Sequence, residues 1–368
     1  MGAGFGVKKT AVVLLNLGGP LSPEGVYPFL FSLFYDPLIL TLPNPFRYLL
    51  AKLIARVRLP KARAIYAVLG GASPLLENTQ AQAMALEKEL GTGYRVFVAM
   101  RHAPPVSRET VAKVRAYNPD QVVLLPLYPQ YSTTTTESSL RAWKEAAKGW
   151  EVPTHVIESY PAQEGFLEAM KELIGEQVEN PSILFVAHGL PEKTIKRGDP
   201  YQAQVEETAR ALERKLLNNW NQTGCHPRAG GDPDLNSFCA TQKECVESKE
   251  KLSGLGPRLR GDDTDALVTG HQFLMTICYQ SRVGPLKWIG PSLEEEILKT
   301  AAEKRPLVVV PISFVSEHSE TLVELDVMMR DLALSHGCPS YIRISTVQTH
   351  PLFIKGLASL VVTSIKAL

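Results

Sequence analysis

Short runs of apolar and β-branched residues recur along this chain, and helical stretches separate most of them. The strand candidates are 10–15, 95–100, 121–127, 155–158, 183–187, 274–279 and 307–312. The helix candidates are 77–90, 107–116, 135–148, 163–180 and 202–218. A run that is apolar throughout belongs to a strand covered on both faces, and helices between such strands are crossovers. The pattern therefore demands an α/β protein of parallel sheets flanked by helices. With 368 residues the chain has material for two such units. We place them at 1–150 and 151–368, with the boundary near Gly149 to Pro153.

Ligands of parallel sheets bind beyond the C-terminal strand ends, and unusual residues gather there. The first strand runs into Asn16-Leu17-Gly18-Gly19-Pro20, and the third into Tyr128-Pro129-Gln130-Tyr131-Ser132. The fifth runs into His188-Gly189-Leu190-Pro191, the sixth into Gln280-Ser281-Arg282, and the last into Ser313 and an acidic stretch. If each half forms its own sheet, these loops converge on one cleft. A dinucleotide site would need G-x-G-x-x-G directly after the first strand. Gly2, Gly4 and Gly6 precede that strand, and Gly18-Gly19-Pro20 lacks the spacing.

The acidic stretch runs from Ser316 to Asp326. As an α-helix it would carry Glu317, Glu320 and Glu324 on one face, beside His318, and Leu322, Leu325 and Met329 on another. By spacing alone the acids read first as a solvated face, and second as a guide for a cation or for protons. His188 in isolation reads as a structural histidine. At the end of a buried strand beside a glycine, it also suits a base that titrates near neutral pH.

Residues 37–76 contain no acid but hold Arg47, Lys52, Arg56, Arg58, Lys61 and Arg63, and an aromatic stretch from Phe29 to Tyr35 precedes them. An apolar lip at 26–42 beside a basic stretch suits a peripheral membrane contact or a large apolar ligand with anionic edges; core packing accounts for it equally well. The features together describe a flat, greasy ligand with carboxylates at its rim, a base on one wall of its site and carboxylates on another. Placing a divalent metal in such a macrocycle releases protons that an imidazole and carboxylates can take up.

Net charge is +1, which gives no global pull toward nucleic acid. Five cysteines suggest a reducing interior rather than a disulfide framework. No secretory leader or uninterrupted apolar span stands out, so a cytoplasmic protein is expected, with peripheral contact to the inner membrane face. From 221 to 265 periodicity is lost, and Pro227-Arg228 with Gly231-Asp232 recurs as Pro257-Arg258 with Gly261-Asp262. We read this as an atypical insertion. Its Cys225, His226, Cys239 and Cys245 could bind zinc or an iron–sulfur cluster, but they match no tight CxxC pattern.

Taken in order, the motifs resemble ferrochelatases of bacterial type over nearly the whole chain outside the insertion. They are Asn16 to Pro20, Gly70-Gly71-Ala72-Ser73-Pro74-Leu75, Leu125 to Ser132, Ala187 to Pro191, Gly198-Asp199-Pro200-Tyr201, Tyr279 to Pro285 with Trp288, and Phe314-Val315-Ser316-Glu317-His318 with Glu320-Thr321-Leu322. The resemblance implies a chelatase-like pair of Rossmann-like domains with the porphyrin between them. It implies insertion of ferrous iron into protoporphyrin IX to give protohaem, with iron as substrate and no tightly bound cofactor. His188 matches the histidine assigned to proton abstraction or metal ligation, and Glu320 its partner across the cleft; both are implied metal ligands. Glu317, His318 and Glu324 match positions on the metal or proton path. Arg58, Lys61, Ser73 and Ser281 resemble propionate contacts. Tyr66 and Trp288 are further implied substrate contacts. The resemblance also implies a widened, π-type turn in the acidic helix, and a C-terminal helix near 351–367 packed toward the first domain.

The chain departs from the family pattern in places. His102 follows Arg101 where an aromatic is common, Met328-Met329 stand where further acids occur, and no C-terminal cysteine cluster is present. A chelatase for coproporphyrin or another metal, and a non-catalytic haem or porphyrin carrier, are the alternative readings.

Overall fold

The computed structural model describes residues 8–175, 181–223, 274–281 and 286–366. The first half runs β1 (Thr10–Asn16), α1 (Val26–Tyr35), α2 (Phe46–Val68), α3 (Leu75–Leu90), β2 (Tyr94–Met100), α4 (Ser107–Tyr117), β3 (Gln121–Pro126), a π-helical turn (Thr133–Glu137), α5 (Ser138–Ala146) and β4 (Thr154–Val156). After α6 (Glu164–Ile174), the second half runs β5 (Ser182–His188), α7 (Glu192–Lys196), α8 (Tyr201–Thr223), β6 (Leu274–Gln280), α9 (Leu293–Ala302), β7 (Leu307–Pro311), a π-helix (Glu320–Met329), α10 (Arg330–Ser335), β8 (Tyr341–Arg343) and α11 (Pro351–Lys366).

Each half folds around a four-stranded parallel sheet, ordered β2-β1-β3-β4 and β6-β5-β7-β8. The strands apolar at nearly every position between their ends, β1, β3, β5 and β7, are the central ones, as burial on both faces requires. The two sheets repeat one plan. Thr10 pairs with Tyr94 and Gln121 as Ser182 pairs with Leu274 and Leu307, and Asn16 lies opposite Met100 as His188 lies opposite Gln280. In both, the chain crosses from one side of the first strand to the other, which creates the crevice where such sheets bind ligands.

Several elements differ from the sequence expectation. The strand expected at 155–158 is the three-residue β4. The helix expected at 135–148 opens with the π-turn. The helix expected at 163–180 ends at Ile174, capped by Gly175 at φ 50°, and 176–180 lie outside the described residues. So do the atypical segment from 224 onward and its Cys225, His226, Cys239 and Cys245. The expected lip at 26–42 is also altered. Val26, Phe29 and Leu30 of α1 turn inward and pack with Ala55 and Tyr66 of α2. The most exposed run of apolar residues lies on α2, where Phe46, Leu49, Leu53 and Val57 are each 59% to 71% exposed.

The halves are joined by polar side chains as well as by a shared apolar core. Gln82 of α3 is fully buried. Its amide nitrogen donates to Val315 O (2.8 Å) and Gln348 O (3.0 Å), and its oxygen accepts from the Ser316 hydroxyl (2.9 Å). Gln130 donates to the Thr208 hydroxyl (2.8 Å) and to Ile312 O (3.1 Å). Asp199 Oδ2 accepts from the hydroxyls of Ser132 and Thr133 and from Thr133 N. Helix α11 lies against α3 of the first half as well as α6. Glycines permit its close crossing with α6, since a Cβ on Gly165 would stand 2.3 Å from Leu352 O.

Candidate active site

The site begins at the tip of β5. His188 is the last residue of that strand, and its backbone N–H donates to the Ser313 hydroxyl (3.2 Å) just past β7. The chain must then turn at once. Gly189 N donates to Gln280 O (2.8 Å), and a Cβ at Gly189 would stand 2.8 Å from that oxygen and 3.3 Å from the Trp288 ring. Glycine is required there because the backbone approaches β6 too closely for a side chain.

His188 Nδ1 lies 2.9 Å from Glu320 Oε2 in the first turn of the π-helix. The sequence reading set these groups on facing walls of a porphyrin-sized gap. The structure corrects this: both project from the second half and touch, forming one wall. The end of β6 supports them. Gln280 donates to Glu320 Oε2 (3.3 Å), and the Ser281 hydroxyl donates to both oxygens of Glu324 (3.1 and 2.9 Å). Ser281 takes φ 65°, a left-handed conformation that is uncommon for a residue with a side chain and that clusters at functional sites.

The electrostatics divide the two acids. Burial by itself would favour the neutral imidazole of His188, but the Glu320 carboxylate outweighs it and the pKa is raised. Burial likewise opposes ionisation of Glu320, and the His188 charge with its hydrogen bond overrides that and lowers the pKa. Glu324 is the opposite case. Burial and the neighbouring Glu320 charge push it up to about 7, against the Ser281 hydrogen bond. A firmly ionised carboxylate thus stands next to one that exchanges protons near neutrality, an arrangement suited to passing protons onward.

Glu317 does not join this ladder. An α-helical spacing puts it on the face of Glu320 and Glu324, but the helix starts only after it and is wide-turned. Its carboxylate pairs with Arg343 Nη1 (2.6 Å) and accepts from Thr346 N (2.8 Å). Against the opposing effect of burial, a hydrogen bond with the Thr321 side chain, then Arg343 and Thr346, lowers its pKa. His318 is held edge-on to Phe314, with ring centroids 4.7 Å apart, and burial lowers its pKa, favouring the neutral ring.

The other wall comes from α2. Arg58 lies over the Phe34 ring, 5.6 Å from its centroid, and carries the positive charge that Glu320 and Glu324 feel from the first half. Burial lowers the Arg58 pKa while those two acids raise it. Lys61 is exposed on the same helix. Tyr66 is buried, hydrogen-bonds with the Ser319 side chain, and is pushed up to about 12 by burial. Ser73 is buried under the first-strand loop, where a Cβ on Gly19 would stand 2.5 Å from it. Trp288 sits half-buried over Gly189, next to His188.

Among the described residues, no three His, Cys, Asp or Glu side chains converge tightly enough to hold a metal ion. His188 and Glu320 are the pair of adjacent groups here that could contribute to holding a cation. Sequence reasoning missed Arg343 and Tyr341, which contact the acidic segment from a distant strand, and the hydrogen bond from Gln280 to Glu320. Gln280 stood inside a quoted motif. Arg343 carried no local signal.

Comparison with known proteins identifies the family. A family model described as ferrochelatase matches residues 9–233 and 258–365. A ferrochelatase of Caulobacter vibrioides is 44% identical, the alignment covering 97% of this chain and 91% of that protein. One from Wolbachia sp. subsp. Drosophila simulans is 42% identical, covering 96% and 98%. Among solved structures, SirB from Bacillus subtilis with Fe3+ superposes with a TM-score of 0.51 at 10% identity, covering 97% of this chain and 95% of that one. At such low identity the likeness shows the two-sheet fold alone.

Proposed function

The chain belongs to the ferrochelatase family, and from that premise we propose that its wall of His188, Glu320 and Glu324 inserts ferrous iron into protoporphyrin IX. It is a metal chelatase that places iron in a porphyrin in haem synthesis. The observation that carries the residue assignment is the contact of His188 Nδ1 with Glu320, because it leaves Nε2 for the macrocycle. The His188–Glu320 pair already shares a proton. An arriving dication repels that proton, which passes through Glu320 to Glu324 and out to solvent. The freed imidazole then takes a proton from one pyrrole nitrogen and passes it along the same carboxylates, and the second pyrrole proton follows by the same route, so both leave as the metal enters. Arg58 and Lys61 on the opposing helix supply cations for the propionates, and Trp288 and Phe34 supply apolar surface. Anaerobic mixing with protoporphyrin and ferrous iron tests this directly, because the Soret bands of free base and metalloporphyrin differ. Parallel assays with coproporphyrin and with other divalent metals define the substrate. A spectrum that stays that of the free base would leave only a porphyrin carrier.

Turnover should rise with pH through about 7, because Glu324 accepts protons only when ionised and its carboxyl sits near that value. The Glu324→Gln variant should lose roughly a hundredfold in kcat. Its remaining acid limb should move to lower pH, since the Glu324 charge helps hold the His188 pKa up. A pH profile identical to that of the wild type would remove Glu324 from the proton path.

A greasy substrate also favours a membrane-facing lip, and α2 has the composition for one. Phe46, Leu49, Leu53 and Val57 recur at helical spacing, with Arg47, Lys52 and Arg56 among them and no acid between 37 and 76. No helix among the described residues is long and apolar enough to cross a membrane. Co-sedimentation with anionic vesicles should be strong for the wild type and reduced at least about tenfold for the double variant Leu49→Asp/Leu53→Asp. Equal sedimentation of both would assign the exposed stripe another role.

A further inference from the structure

The wide turn that presents Glu320 and Glu324 is held from the edge of the sheet. A π-type segment departs from regular helical bonding, so it persists where neighbours supply what it forgoes. Here the neighbour is β8. Tyr341 and Arg343 stand two residues apart and hence on one face of that strand. The Tyr341 hydroxyl donates to Leu325 O (2.8 Å), a backbone carbonyl inside the π-helix. Arg343 Nε donates to Asp326 Oδ1 (2.7 Å), its Nη2 pairs with the other oxygen of Asp326, and its Nη1 reaches Glu317 Oε1 (2.6 Å). One guanidinium therefore ties Glu317, just ahead of the π-helix, to Asp326 in its middle. None of these contacts involves His188, Glu320 or Glu324.

We propose that Arg343, assisted by Tyr341, is a positioning residue that fixes the register of 320–329 and so sets Glu320 against His188 and Glu324 against Ser281. This rests on the ladder reading given above. If the segment tightened to an α-helix, each residue gained or lost from the turn would rotate the acids by about 100°. Ser281 could then no longer meet both oxygens of Glu324. The planar fork of arginine suits the task, because it grips Asp326 with two parallel bonds while a third nitrogen reaches Glu317. A lysine ammonium cannot hold that geometry.

The test is a double-mutant cycle in steady-state iron insertion, with the Michaelis constants for iron and porphyrin measured separately. Arg343→Gln should raise the KM for ferrous iron about tenfold, the usual cost of losing a partner that orients a metal ligand, and leave that for porphyrin within about twofold. Arg343→Lys should fall between. In a background carrying both Glu320→Gln and Glu324→Gln, Arg343→Gln should cost less than about threefold more, because both carboxylates it positions are already gone. Should Arg343→Gln not accumulate as folded protein, Tyr341→Phe carries the same comparison. Equal rises in both KM values, or losses that multiply fully in both backgrounds, overturn the proposal. Wild-type turnover by Glu324→Gln alone overturns the ladder reading, and this one with it.

Discussion

Replacing His188 with alanine should abolish iron insertion, by about a thousandfold or more, while porphyrin still binds. The expected size follows from the role of a positioned base, which commonly contributes two to four orders of magnitude. The substitution also strips Glu320 of the partner that keeps it ionised, so two groups of the relay are lost at once. Binding should survive because the proposed propionate cations, Arg58 and Lys61, stand on α2 in the other half of the chain. Quenching of intrinsic fluorescence by porphyrin reports binding, and the Soret shift reports insertion. Near-normal turnover by this variant would dismiss His188 as the base.

Replacing Gln82 with leucine should destabilise the fold by roughly 3–5 kcal/mol, since several buried partners lose their hydrogen bonds together. Val315 O and Gln348 O would lose a donor, and the Ser316 hydroxyl its acceptor. These partners are on the second half and Gln82 is on the first, so the loss falls on the seam. The chain from Val315 to Glu317 also leads into the π-helix, so activity should fall before the fold is lost. Urea unfolding followed by circular dichroism measures the first effect. A midpoint within experimental error of the wild type would mean that apolar contacts alone hold the halves together.

Local signals account for what could be read ahead of the structure. The central strands are legible because β1, β3, β5 and β7 are apolar at nearly every position, which only double-sided burial explains. His188 is legible because a strand end and a glycine flank it. β8 escaped notice because three residues carry no period. Glu317 was set on the acid face by α-helical counting, whereas the helix begins after it and Arg343, 26 residues away, claims its carboxylate. The aromatic residues before α2 suited a lip and core packing equally, because composition does not say which of two adjoining helices turns its apolar side inward. Tertiary packing decides that, and it chose Val26, Phe29 and Leu30.

The duplicated strand plan has one more consequence. Asn16 occupies in the first sheet the tip that His188 occupies in the second. The Asn16 amide donates to the Thr79 hydroxyl (3.0 Å) and its oxygen accepts from Leu17 N (2.8 Å), so this tip is spent on holding its own loop. The same scaffold thus delivers a side chain to equivalent places twice, once as a rivet and once as the base proposed here. Which copy can react is decided by the residue standing at the tip and not by the sheet beneath it.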